Sequence, residues 1–195
     1  MSDSDDIDFE IDPYDLVFES PEYVEKVLKS GYDVNMLSMY FPNYNILKLC
    51  LELLHQEKSN QIIDLALKYG ADVNLKCGVP SYTSALCQAA LNGRSKYVKK
   101  FLDNGGNVLL KCRGKIFLEK ISLADRLICE INDNIKLFRT ECFCKQHYLK
   151  KDKCLMCQKR KCLQIIQNHE TKLKTLFQLM LENVDVNIDK KQRFY

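Results

Sequence analysis

Apolar residues recur at three- and four-residue intervals along most of this chain, which is the spacing of one buried helical face. Tyr14, Leu16, Val17 and Phe18 form a short cluster, and Tyr23, Val24, Val27 and Leu28 a stripe behind it. The run Ile46 to Leu54 and the stretch Asn60 to Leu67 make a second pair. A third follows, with Leu86, Cys87, Ala89 and Ala90 and then Tyr97, Val98, Phe101 and Leu102. Capping residues sit where each pair should begin: Asp12 before Pro13, Asn45 and Ser84. Gly31 and Gly70 follow helical stripes, where the chain must turn left-handed, and Gly93 separates two helices. The pattern predicts an all-α chain of stacked helix pairs.

After Leu109 the pattern weakens. Ser122 to Ile128 opens another helix, with apolar positions continuing through Ile131, Ile135 and Phe138. A polar, cysteine-rich stretch follows, and periodicity returns at Leu163, Ile166, Leu173, Leu176, Phe177, Met180 and Leu181. The expected division is an acidic flexible leader at 1–9, helix pairs over 10–137, a Cys-rich insertion at 138–162, a C-terminal helix at 163–190 and a tail at 191–195. The step from Leu109 to Asn187 is twice that from Asn35 to Asn74, which fits two divergent pairs or one split pair. The split is favoured because Cys142 to Cys162 has no helical-pair pattern of its own. The step from Asn35 to Asn74 also exceeds that from Asn74 to Leu109 by about one helical turn. The extra turn is assigned to a lengthened first helix near Leu53 to Glu57.

Two units close alike, as Ser30-Gly31-Tyr32-Asp33-Val34-Asn35 and Tyr69-Gly70-Ala71-Asp72-Val73-Asn74. Ser84-Ala85-Leu86-Cys87-Gln88-Ala89-Ala90 aligns with a Thr-Pro-Leu-His-x-Ala-Ala opening. Together these resemble the ankyrin repeat, over most of the chain and most closely in the second and third units. Ala85 and Cys87 stand where that family has proline and histidine, which implies a weaker local hydrogen-bond network there. The resemblance implies an ankyrin-repeat solenoid of about four helix pairs with a Cys-rich insertion in the last. It also implies a non-enzymatic protein-binding surface, with hairpin tips as fingers and first helices as a palm. The implied contact residues are Met39, Tyr40, Phe41 and Tyr44 in the first finger, and Val79, Tyr82 and Arg113 in the next two. Exposed aromatics anchor interfaces, but Tyr40, Phe41 and Tyr44 could equally pack under their own hairpin.

Composition adds a charge asymmetry. Net charge is +3, yet the first 25 residues hold ten Asp or Glu and no Lys or Arg. From Lys145 to Lys174, nine Lys or Arg are opposed only by Asp152 and Glu170. Such segregation suits an acidic partner, or screening of the basic end by the acidic one, while an ordinary lysine-rich solvated surface also accounts for it. No apolar run approaches the length of a membrane span and the N-terminus is unlike a secretory signal, so an intracellular, cytoplasmic protein is expected. The Lys-, Asn- and Ile-rich composition looks like divergent ankyrin proteins of large DNA viruses or intracellular bacteria, which would mean the host cytoplasm for a viral protein.

Ten cysteines in such a setting read as thiols or metal ligands. Five of them fall in one short segment, as Cys142-x-Cys144, Cys154-x-x-Cys157 and Cys162, with His147 between. Short-spaced thiolate and imidazole pairs supply the corners of a zinc tetrahedron, so one structural zinc ion is a candidate cofactor. A redox dithiol, a plain surface loop of reduced thiols, and cysteines filling gaps between helices are the alternatives. Basic residues around the cluster (Lys145, Lys150, Lys151, Lys153, Lys159, Arg160, Lys161), with Phe143 and Tyr148, offer nucleic-acid binding as the second functional class. Nucleophile elbows, phosphate loops and H-E-x-x-H helices are absent from the sequence, and no catalytic residue is predicted.

Overall fold

A computed structural model describes residues 11–41, 43–53, 56–78, 83–110, 112–113, 120–138 and 155–192. Among these the chain is mostly helical: α1 Pro13–Leu16, α2 Pro21–Lys29, α3 Ile46–Leu53, α4 Gln56–Lys68, α5 Ala85–Leu91, α6 Ser95–Asp103, α7 Leu123–Phe138 and α8 Leu155–Gln192. Two short strands, β1 Cys112–Arg113 and β2 Lys120–Ile121, pair antiparallel with Cys112 opposite Ile121. The expected leader at 1–9 lies outside the described residues, as do residues 139–154 of the expected insertion and the end of the expected tail at 193–195.

Local chemistry sets the helix starts. The Asp12 carboxylate accepts the Tyr14 amide at 2.7 Å, Asn45 Oδ1 accepts the Lys48 amide at 3.1 Å, and Ser84 Oγ accepts the Cys87 amide at 3.3 Å. Each cap satisfies a donor that has no partner inside its helix. The first helices pack in series, α1 on α3, α3 on α5 and α5 on α7. Behind them α2 packs on α4, and α8 packs on both α6 and α7. Ala85, Ala89 and Ala90 are fully buried on α5, and their small side chains let the helices on either side approach closely.

Two boundaries differ from expectation. The extra turn between Asn35 and Asn74 lies in the second helix of that pair: α4 has 13 residues where α2 and α6 have nine, while α3 has only eight. Ser59 Oγ, fully buried in that added turn, donates to the Cys50 carbonyl on α3 and anchors it. Second, α8 begins at Leu155, so the last residues of the expected 138–162 insertion are already helical.

The hairpins that leave α2, α4 and α6 repeat one hydrogen-bond scheme. Ala71 N–H donates to the Ala66 carbonyl and Gly106 N–H to the Phe101 carbonyl, each at 2.9 Å, closing the helix ends over left-handed Gly70 and Gly105. Asn35 then reaches forward: its Oδ1 accepts the Asp72 amide at 2.7 Å and its Nδ2 donates to the Gly70 carbonyl at 3.4 Å. Asn74 does the same one unit later, accepting the Asn107 amide at 2.7 Å and donating to the Gly105 carbonyl at 3.0 Å. Leu109 occupies the next equivalent position and is exposed. Its side chain has no amide with which to extend the ladder.

Asn74→Ala removes two of these bonds at a solvent-accessible site. The expected loss is about 1 kcal/mol, read as a lower urea midpoint. Lys99→Ala on the exposed face of α6 should leave the midpoint in place, and an Asn74→Ala midpoint equal to that control would show the ladder to be inert.

Candidate functional site

The first hairpin is built from the inside out. Ser38 is fully buried, its amide donates to the Tyr44 carbonyl at 2.9 Å, and its hydroxyl accepts the Tyr40 and Phe41 amides at 3.2 and 3.1 Å. The second Asp12 oxygen accepts the Met39 amide at 2.7 Å, so one carboxylate caps α1 and pins the hairpin. On this frame Met39 and Tyr40 project into solvent, 86 % and 70 % exposed. Phe41 and Tyr44 are half-buried and pack with tilted rings 5.3 Å apart, and Phe41 also stacks on Tyr14 at 5.9 Å. Of the two readings open in the sequence, Met39 and Tyr40 follow the exposed one, whereas Phe41 and Tyr44 pack under the hairpin.

The second hairpin is fastened to the first by a residue that the sequence pattern did not single out. Lys48 is fully buried on α3. Its ammonium donates to the Cys77 carbonyl at 2.8 Å, the Thr83 hydroxyl at 3.1 Å and the Thr83 carbonyl at 3.3 Å, and lies 4.2 Å from the centre of the Tyr44 ring. Cys77 and Thr83 exchange backbone bonds of 3.2 Å at the base of the hairpin. Gly78 donates to the carbonyl of Asn43, itself in a left-handed turn at φ 49°, and adopts φ 89°. A side chain at Gly78 would collide with the Tyr44 ring and the Lys48 ammonium. Burial pulls the Lys48 ammonium below its ordinary 10.5 and pushes the Tyr44 phenol and the Cys77 thiol up. Val79 and Tyr82, at the expected tip, lie outside the described residues, and Arg113 is placed only as a backbone position in β1 opposite Lys120. One sequence signal could have exposed Lys48: it is the single charge in the apolar run Ile46 to Leu51.

The first-helix face between the hairpins is polar. Glu52 Oε1 accepts from Gln88 and, at 3.2 Å, from Asn92, tying α3 to the end of α5.

Of the expected metal ligands, Cys142, Cys144, His147 and Cys154 lie outside the described residues. Cys157 is half-buried in the first turn of α8. Cys162 is fully buried in the core, and burial pushes its thiol up to about 11. Its place among the buried residues of the core is that of a packing thiol. Lys159 is also buried, at 6 % exposure, and cannot present its ammonium to a phosphate as expected, whereas Arg160 and Lys161 are exposed. The start of α8 crosses the turn between α5 and α6, where a Cβ on Gly93 would approach Leu155 and Gln158 to 3.0 Å. That turn is at the opposite end of the helices from the hairpins, so Cys157 and the finger residues are far apart in the stack. Among the described residues no three His, Cys, Asp or Glu side chains converge as a metal site, and no helix is long and apolar enough to cross a membrane. Comparison with family models and with curated proteins finds no match to this chain.

Lys48→Met keeps the length of the stem but strands the carbonyls of Cys77 and Thr83, at an expected cost of about 1–3 kcal/mol. The folded-state pKa of Lys48 is depressed, so just below pH 10.5 the unfolded chain binds the extra proton and this residue's contribution to stability rises with pH. The stability gap between wild type and Lys48→Met should therefore widen between neutral pH and about pH 10 in urea titrations. An equal gap at both would mean that the buried ammonium titrates normally.

Proposed function

We propose that this chain is a non-enzymatic protein-interaction module, an ankyrin-type stack of about four helix pairs that binds a protein partner through its hairpin fingers and first-helix face. One observation carries the reading: Met39 and Tyr40 are almost fully exposed on a hairpin whose anchors, Asp12, Ser38 and Lys48, are all buried and hydrogen-bonded. Large side chains held outward on a fixed backbone spare the cost of ordering that backbone when covered, which favours a role as interface anchors. The repeated asparagine links between successive hairpins support the ankyrin assignment. Unpaired thiols at Cys50, Cys77, Cys129 and Cys162 fit an intracellular, reducing setting.

Capture of partners from lysate tests the proposal. Met39→Ala with Tyr40→Ala should lower recovery about tenfold, the equivalent of roughly 1.4 kcal/mol, while Lys99→Glu on the back of α6 leaves it unchanged. Loss with Lys99→Glu and retention with the finger variant would place the binding face elsewhere.

We also propose one structural zinc ion held by Cys142 or Cys144, His147, Cys154 and Cys157, on the strength of their spacing and of Cys157 standing clear of the core. Elemental analysis of protein purified without chelator should give about one equivalent, reduced in Cys157→Ser. Metal-free protein with these thiols open to titration would refute it.

A further inference from the structure

Aromatic rings form a continuous row from α1 into the first hairpin. Phe18 meets Tyr14 with centroids 5.2 Å apart, Tyr14 stacks on Phe41 at 5.9 Å, and Phe41 packs on Tyr44 at 5.3 Å. The row is open along its length: Phe18 at one end is 50 % exposed, and Met39 and Tyr40, which precede Phe41 in the hairpin, project into solvent. Acidic residues interleave with the rings. Asp15 follows Tyr14, Glu19 follows Phe18, Glu22 precedes Tyr23, and all three carboxylates are exposed. No Lys or Arg occurs before Lys26. Two lysines that reach the row from later elements are committed to backbone carbonyls, Lys58 to that of Phe18 at 2.6 Å and Lys48 to those beneath the second hairpin.

We propose that this ridge docks a basic amphipathic segment of the partner protein, with Lys or Arg side chains facing Asp15, Glu19 and Glu22 and apolar side chains covering Phe18, Met39 and Tyr40. The proposal rests on the protein-interaction reading above and adds the chemistry of the partner. Charge complementarity selects this occupant. After the first 25 residues the chain carries 29 basic against 16 acidic side chains, so a basic segment is repelled by most of the molecule and drawn to this end. Exposed ion pairs each contribute little, so the carboxylates supply steering and selectivity while the aromatic area supplies affinity. Cations placed over the Tyr40 or Phe18 rings add to both. Nucleic acid, with its phosphates, is disfavoured at the same surface.

The test titrates the full chain with a labelled amphipathic peptide of Lys and Leu at helical spacing, and with its Glu and Leu counterpart, by fluorescence anisotropy. The Lys–Leu peptide should bind, more weakly as salt rises, and the Glu–Leu peptide should not bind at this ridge. Asp15→Lys with Glu19→Lys should weaken Lys–Leu binding about tenfold or more, and so should Phe18→Ala with Tyr40→Ala, while Lys99→Glu does neither. These positions are exposed, and an unchanged helical circular dichroism spectrum confirms that each variant is folded. Lys–Leu affinity unaltered by the charge reversal, or equal affinity for both peptides, overturns the proposal. Failure of the peptide to bind while the Met39 and Tyr40 variant still loses partners overturns the basic-segment assignment alone. Peptide binding that tracks the ridge variants, beside partner capture that ignores them, supports the ridge chemistry and counts against the wider reading.

Discussion

A lysine taken out of water needs acceptors for its ammonium, and Lys48 finds all of them in the base of the second hairpin. The burial is costly and is offset by three charge-assisted hydrogen bonds and the face of the Tyr44 ring. Satisfying that ammonium fixes two hairpins at once, because Tyr44 belongs to the first and Cys77 with Thr83 to the second. It also explains the glycine at position 78. The backbone must pass so close to the Tyr44 ring and Lys48 Nζ, at φ 89°, that no side chain fits. The arrangement is directional in a way that apolar packing is not. Hydrophobic contact would hold the hairpin against α3, but the bonds to Cys77 and Thr83 fix the two sides of its base relative to that helix.

The asparagine ladder does similar work further from the fingers, and its end at Leu109 marks a change in how the stack is held. Up to that point consecutive hairpins are tied by side-chain amides to backbone groups. Beyond it, cohesion comes from helix packing: Leu123 and Leu127 on α7 and Cys162 and Ile166 on α8 are all buried in the common core. A longer helix suits that task. α8 has 38 residues, of which the early part covers α6 and α7, while Leu176 and Phe177 stand largely exposed. The sequence loses its repeat signature at the same place, and the coincidence has a physical cause, since the signature residues are those that make the ladder.

Much of the fold was legible because it rests on residues whose chemistry is local. Asp12, Asn45 and Ser84 cap the helices they were expected to cap, and Gly31, Gly70 and Gly93 take left-handed conformations. Val24, Val27 and Leu28, and likewise Tyr97, Val98 and Phe101, face the core as their spacing required. Illegible features depended on what a side chain meets across the stack. The sequence pattern does not single out Lys48 and reads Lys159 as a phosphate contact, because sequence alone does not reveal burial against another element or, for Lys48, the carbonyls of Cys77 and Thr83. The extra turn between Asn35 and Asn74 could lengthen either helix without disturbing the apolar register, and only the Ser59 contact with Cys50 decides for α4. At the candidate site, four neighbouring apolar residues, Met39, Tyr40, Phe41 and Tyr44, offered no means of separating exposed from packed. The separation follows from Ser38, whose hydroxyl gathers the Tyr40 and Phe41 amides and directs the two side chains differently.

Rigidity in the fingers bears on what such a surface can recognise. A mobile loop would adapt its aromatics to many partners and lose ordering entropy each time, whereas a pinned one selects by shape and charge before contact. Here the pinning groups carry charge of their own. Asp12 commits its carboxylate to the Tyr14 and Met39 amides, and Lys48 commits its ammonium to the second hairpin, so neither is available to pair directly with a partner. Near the aromatic row the exposed carboxylates of Asp15, Glu19 and Glu22 outnumber the ammonium of Lys58, on a chain whose overall charge is positive. On the proposed function, selectivity at this end would arise from a division of labour: buried charges set the backbone, and exposed ones would set the sign of the partner.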